Sequence, residues 1–171
     1  SRYEFSLGWQ RLNIFFIKNN SKLMINTLNK IELKKILKIK DPFLMVDKVK
    51  IISKNKIAEG MKVLRKDDWY FKAHFFNNDP VMPGTLQTEA MLQTTIATLY
   101  EKNKKIKKYF IIKSETNFYL KIIKPCTIKI RLKIISKNKG IIISEGSVFL
   151  KNKKVSTGKF RFIDPENFKI N

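Results

Sequence analysis

The tightest constraint on the fold lies in the last third of the chain. Tyr109–Tyr119, Thr127–Ile135, Ile141–Leu150 and Val155–Ile163 are rich in branched and aromatic residues and read as four strands. Lys137-Asn138-Lys139-Gly140 and Lys151-Asn152-Lys153 read as the turns that separate the later ones. Turns this short leave the strands they join as antiparallel neighbours.

Upstream, Ile31–Ile39 has a mostly helical spacing of apolar residues, with Lys34 and Lys35 outward. That helix should stop before Asp41-Pro42, because proline disfavours helical backbone in the residue ahead of it. Phe43–Ile52 and Ile57–Leu64 read as two strands joined by a hairpin at Ser53-Lys54-Asn55-Lys56. Asp67–Val81 reads as a loop. Pro83 suits a helix start, and Thr85 to about Lys102 then reads as a long helix burying Leu86, Ala90 and Ala97. The order is helix, two strands, long helix, four strands. It predicts an α+β domain in which one central helix packs on an antiparallel sheet.

Ser1–Leu23 has no clean period, and Met24 opens a stretch that reads as a natural start. The expectation is an upstream extension, or a segment foreign to the domain, over residues 1–23 and a single domain over 24–171. With 43% of its 171 residues apolar, the chain can bury a substantial core. No run approaches the roughly 20 apolar residues of a membrane span, and no secretory pattern is present, so a cytoplasmic address is expected. One cysteine, Cys126, excludes an intrachain disulfide, and with His74 as the one histidine a Cys/His zinc cage lacks ligands. No metal or redox cofactor is expected.

The formal charge of +22 is spread along the whole chain rather than gathered in a stripe or tail. Its company of isoleucine and asparagine favours drift in an A+T-rich coding sequence. Attraction to an acidic protein is the next reading, and nucleic acid the least favoured.

The chemistry-bearing segment is DDWYFKAHFFNNDPVMPGTLQTEAMLQ, Asp67 to Gln93. It sets an imidazole on a loop, then a proline-glycine helix start, then a carboxylate in a largely apolar helix. Each part has a plain structural reading: His74 as a packed histidine, Glu89 as a solvent-facing glutamate, Gly84 as a turn requirement. Each also has a chemical one. Neutral imidazole suits abstraction of a proton beside a thioester carbonyl at neutral pH. A glutamate in a dry pocket holds its proton and can deliver it to a departing hydroxyl. The Gly84 N–H, unpaired at a helix start, can receive the enolate-like oxygen. Gln93 lies about 40° around the helix from Glu89 and can orient it.

The same segment closely resembles the FabZ/FabA family of 3-hydroxyacyl-[acyl-carrier-protein] dehydratases. IELKKILKIKDPFLMVDKV (31–49) looks like the family's opening helix and strand. WYFKAHF, DPVMPG and TEAMLQ follow in the family's order, and KIIKPC (121–126) and the strands beyond resemble its closing sheet. The resemblance runs from about Met24 to Asp164. It implies a hotdog fold, an antiparallel sheet wrapped around a long central helix. It implies dehydration of a (3R)-hydroxyacyl-[acyl-carrier-protein] to the trans-2-enoyl form, with His74 as base and Glu89 as acid. Gly84 becomes the oxyanion donor and Gln93 the residue that orients Glu89. The implied assembly is a homodimer, or dimers assembled further, in which His74 of one chain meets Glu89 of the other. The implied partner is an acidic acyl carrier protein, with Lys72 and the Lys102–Lys108 group as candidate contacts near the tunnel mouth.

Three departures mark a divergent member. Ala73 stands where the family usually has glycine, the loop from His74 to Pro80 is one residue longer, and Ile39-Lys40-Asp41 replaces the commoner lead-in to Pro42. Glu89, rather than aspartate, favours the plain dehydratase branch over the one that also isomerises the double bond. The alternatives are a hotdog thioesterase or a coenzyme A-dependent enoyl hydratase, and a scaffold that uses its positive field.

Overall fold

Seven strands form a single antiparallel sheet, and one long helix lies against it in this computed structural model, which describes residues 26–75, 79–123 and 125–167. The expected extension over residues 1–23 lies outside the described residues, as do positions 76–78 of the longer loop. In chain order the elements are β1 (Asn26–Leu28), α1 (Lys30–Leu37), β2 (Lys48–Ser53), β3 (Ile57–Leu64), α2 (Trp69–Ala73), α3 (Gly84–Thr98), β4 (Phe110–Phe118), β5 (Cys126–Asn138), β6 (Ile141–Leu150) and β7 (Lys153–Ile163). The sheet order is β1-β2-β3-β5-β6-β7-β4, and α3 packs against its inner face. The predicted arrangement of one central helix on an antiparallel sheet is the one observed.

Alternation explains the inner and outer faces. On β5, Ile128, Ile130, Leu132 and Ile134 are buried under α3, while Lys129 and Lys133 point out. Outward residues in register carry alternating charge: Lys133 pairs with Glu145, Glu145 with Lys159 and Lys159 with Glu115 across four strands. Opposite charges directly across a ladder stabilise it modestly. Part of the excess lysine is thus a solvated sheet face. The β5–β6 turn uses Lys139 and Gly140, both with positive φ (46° and 77°), as the twist of a tight hairpin demands.

Several boundaries differ from the sequence-based expectation. α1 starts at an Asn29–Glu32 capping box and ends at left-handed Lys38, ahead of Asp41-Pro42 as expected. Phe43–Asp47 is not strand. Leu44, Met45 and Val46 are all buried in succession, without alternation, and side chains rather than a neighbouring strand hold part of their backbone. The expected loop 67–81 contains α2, where Asp68 accepts from the Arg65 N–H and the Tyr70 hydroxyl and Tyr70 and Phe71 are buried. α3 ends at Thr98, short of Lys102. Beyond it Glu101 turns to the β2–β3 hairpin and pairs with Lys54 at 2.8 Å and with Lys104 at 2.9 Å.

The helix approaches the sheet closely because the residues between them are small. A Cβ on Gly60 would lie 2.6 Å from Thr94 Oγ1, and one on Gly146 would lie 2.9 Å from Met91 Sδ. Thr94, Thr95 and Thr98 bury their hydroxyls by donating back to the carbonyls of Ala90, Met91 and Thr94. Gly60→Val should therefore overpack the interface and lower unfolding free energy by about 1–3 kcal/mol; urea denaturation followed by circular dichroism measures it, and an unchanged midpoint would contradict the packing described.

Candidate active site

α2 ends at Ala73, so His74 is the first residue out of the helix, its N–H still bonded to the Tyr70 carbonyl at 2.9 Å. Its imidazole Nδ1 lies 3.1 Å from the Val81 carbonyl oxygen. A carbonyl only accepts, so Nδ1 carries the proton in the neutral ring and Nε2 keeps its lone pair. The ring is half-buried and lies against Phe75, with centroids 4.2 Å apart. The Val81 side of this clamp is itself fixed, because the next residue, Met82, donates its N–H to the Ile122 carbonyl at 2.9 Å.

Two residues after Met82 the helix begins. The Gly84 N–H has no acceptor among the described residues, as expected for the first residue of a helix. Pro83 occupies the cap position rather than the first helical position. A Cβ on Gly84 would come within 2.8 Å of two ring carbons of Phe118, so glycine here lets the aromatic ring of β4 close on the helix start. That packing reason stands beside the donor role and was not legible in the sequence.

Glu89 sits in the second turn of α3. Burial pushes its carboxyl pKa up from the ordinary glutamate range, partly offset by a hydrogen bond from Gln93. Gln93 is 1% exposed, and its amide is fully engaged. Nε2 donates to Glu89 Oε1 at 2.8 Å and to the Phe43 carbonyl at 2.9 Å, while Oε1 accepts the Met45 N–H at 2.8 Å. The amide cannot flip without losing all three, so it presents an N–H to Glu89.

Within one chain the structure joins Glu89 to Gln93 and places Gly84 on the same helix. It makes no hydrogen bond between His74 and Glu89. Lys72, on α2, is exposed two residues before His74. The Lys102–Lys108 group lies apart from Gly84 within one chain. It follows the opposite end of α3, roughly 20 Å along the helix from Gly84. Three of its lysines are engaged, Lys104 with Glu101, Lys105 with Glu166 and Lys107 with Asp164. No group of metal-ligating side chains occurs among the described residues.

A family model described as a FabA-like domain matches residues 38–159, a span that includes His74, Gly84, Glu89 and Gln93. The chain belongs to the FabA-like family. Among curated FabA-like relatives, the 3-hydroxyacyl-[acyl-carrier-protein] dehydratase FabZ of Buchnera aphidicola subsp. Acyrthosiphon pisum (strain Tuc7) is 31% identical over 141 residues, covering 80% of this chain and 93% of that protein. A protein of the same name from Alkaliphilus metalliredigens (strain QYMF) is 30% identical, over 72% of this chain and 84% of its own. Among solved structures, the dehydratase heterocomplex ApeI:P from Xenorhabdus doucetiae aligns with TM-score 0.63 at 14% identity, covering 78% of this chain and 90% of that one. A hypothetical thioesterase from Streptococcus pneumoniae, bound to coenzyme A, aligns with TM-score 0.50 at 8% identity, covering 65% and 80%. These likenesses establish the hotdog fold.

The departure at Ala73 has a local explanation. Ala73 is the last residue of α2, where alanine suits helical backbone, and the left-handed turn falls two residues later, on Phe75 at φ 53°. Sequence reasoning missed Val81, whose contribution is a backbone carbonyl, and Phe118, which lies 34 residues beyond Gly84.

Because Glu89 has a raised pKa, its protonated form favours the folded state, and that contribution is lost as pH rises through the elevated value. Glu89→Gln keeps the shape and the bond from Gln93 without the buried charge. Its melting temperature should exceed that of the parent by a few degrees at pH 8 and equal it at pH 4; differential scanning calorimetry at the two pH values reads this, and equal shifts at both would contradict it.

Proposed function

We propose that this chain dehydrates a 3-hydroxyacyl thioester carried on acyl carrier protein, with His74 as general base and Glu89 as general acid. The observation that carries the proposal is the complementary poise of the two groups. Val81 holds the His74 tautomer that leaves Nε2 open to receive a proton. Burial favours the protonated form of Glu89, and Gln93 aims it. The names of the curated FabA-like relatives support the same substrate class.

The steps follow from these roles. His74 Nε2 takes a proton from the carbon beside the thioester carbonyl, and the electron pair moves toward the carbonyl oxygen. The Gly84 N–H receives the developing charge at the start of α3, where the helix dipole adds to it. As the C3–O bond breaks, Glu89 gives its proton to the leaving hydroxyl, so water and a 2-enoyl thioester form. His74 then holds one proton and Glu89 lacks one, and exchange with solvent restores both. A strongly acidic carrier suits the basic surface, with Lys72 next to His74 as the contact on that side. The cytoplasm is the compartment this reading implies, and no helix among the described residues is long and apolar enough to cross a membrane.

A second copy of the chain completes the site in this reading. β4 is the last strand of the sheet, paired on one side by β7 only. Phe110, Ile111, Ile112, Phe118, Tyr119 and Leu120 are each between 42% and 55% exposed along it and just beyond. An unpaired apolar edge is a liability unless covered, and a symmetric antiparallel pairing with another β4 covers it. Phe118 lies against Gly84, so the covered edge reaches the reaction site. His74 of one subunit then serves with Glu89 of the other. A thioesterase shares the fold and a carboxylate on the central helix, but leaves the His74 clamp without a task.

Hydration of a crotonyl thioester, followed by ultraviolet absorbance, should proceed with the parent protein and fall at least about 100-fold in His74→Ala and in Glu89→Gln. Retention in either variant removes that residue from its role, and thioester hydrolysis without hydration favours the alternative reading. Co-expression of the two inactive variants should restore activity, because each heterodimer holds one unmutated site. No restoration, with heterodimers demonstrated by mass spectrometry, would place both groups in one subunit.

A further inference from the structure

Lys62 is the one buried cation among the described residues, 7% exposed on β3. A desolvated ammonium is costly unless its donors find acceptors. Two of the three do: Nζ donates to the Leu44 carbonyl at 3.0 Å and to Asp47 Oδ1 at 3.2 Å. Asp47 is in turn seated on the same strand, its Oδ2 accepting the Val63 N–H at 2.9 Å and its own N–H donating to the Met61 carbonyl at 2.8 Å. Lys30 Nζ stands 4.0 Å from Asp47 Oδ1 on the solvent side, the other cation facing this carboxylate.

The Leu44 carbonyl lies between the two backbone groups that hold Gln93. Phe43 supplies the carbonyl that Gln93 Nε2 donates to, and Met45 supplies the N–H that Gln93 Oε1 accepts. Residues 43–45 lie outside the strand ladder, and the side chains of Gln93 and Lys62 bond their backbone groups instead. Lys62 thus grips from β3 the peptide run that Gln93 grips from α3.

We propose that Lys62, seated by Asp47, is a positioning residue for the catalytic acid: it fixes residues 43–45, against which Gln93 is oriented, and so aims the Glu89 carboxyl. This rests on the reading of Glu89 as the acid. Lys62 does not touch the reacting groups; its effect passes through one backbone segment and one amide. An apolar residue of similar length would fill the same space, but would leave the Leu44 carbonyl buried without a donor and the segment free to shift. Misplacement of a catalytic group by about 1 Å can cost on the order of 100-fold in rate.

The test compares Lys62→Met, Lys62→Arg, Gln93→Leu and the double variant Lys62→Met/Gln93→Leu, each checked for folding by circular dichroism. Two readouts are used: kcat and KM for crotonyl-thioester hydration, and the titration midpoint of Glu89 followed by 13C carboxyl NMR. In Lys62→Met, kcat should fall about tenfold or more with KM nearly constant, and the Glu89 midpoint should move upward, as it should in Gln93→Leu, because the carboxylate loses a well-aimed donor. The double variant should be no worse than Gln93→Leu, since both changes act through one contact. Lys62→Arg, which keeps donors on the segment, should recover part of the loss. Lys62→Met that melts earlier yet keeps the parental kcat and Glu89 midpoint overturns the inference, as do losses that add in the double variant. Should Lys62→Met fail to fold, Asp47→Asn loosens the seat with the lysine retained, and the same two readouts decide. If the parent protein does not hydrate the thioester, the proposed reaction fails. The Glu89 midpoint, which needs no turnover, then still decides whether Lys62 acts through Gln93.

Discussion

The side-chain amide of Gln93 ties three parts of the molecule together. Its two N–H groups reach Glu89 on its own helix and the Phe43 carbonyl on the segment after α1, and its oxygen receives the Met45 N–H. With every donor and acceptor used inside the protein, the amide has one orientation, and that orientation points a hydrogen towards the carboxyl of Glu89. The non-alternating run Leu44–Val46 is buried with the Leu44 carbonyl and the Met45 N–H satisfied by Lys62 and this amide. The same contact partly opposes the burial that raises the Glu89 pKa, so Gln93 both aims the carboxyl and moderates its affinity for a proton.

Most of the sheet was legible in the sequence because its signals are local. The Lys-Asn and Lys-Gly turns, and the alternation of Ile128, Ile130, Leu132 and Ile134 with lysines, mark β5, β6 and β7 within a residue or three. The Glu89–Gln93 contact was legible for the same reason, since four residues on a helix meet by geometry alone. Elements held by distant partners were not. Phe43–Asp47 looks like a strand until Gln93 and Lys62 are known to hold it, and those partners lie 48 and 18 residues from the groups they bind. β1 is three residues long, too short for a period to register, and α2 has five residues and no side-chain cap bond from Asp68. Beyond α3 Glu101 pairs with Lys54 of the β2–β3 hairpin, a partner that no window around Glu101 contains.

The same distinction applies to the candidate site. His74 and Glu89 were found as residue types in a recognisable order, but part of what surrounds them is backbone. The Val81 carbonyl selects the imidazole tautomer, and the start of α3 leaves the Gly84 N–H free. Peptide groups carry no letter in the sequence. The basic charge divides in a similar way. Part of it decorates the outer sheet in alternation with Glu145 and Glu115 or pairs with Glu101, Glu166 and Asp164 beyond α3. Charge totals therefore say less about partners than the position of single residues such as Lys72.

The glycines and threonines under α3 carry a consequence for where a fatty chain can lie. Gly60 against Thr94, and Gly146 against Met91, bring the helix so near the sheet that a single added carbon has no space. A run of methylene groups cannot slide between these two layers, whose hydroxyls are already committed to the helix backbone. In the proposed reaction an aliphatic tail would then run beside the helix start, past Phe118, along the β4 edge proposed to meet a second copy. The room available to it would be set by the side chains of that edge rather than by the interior of the domain.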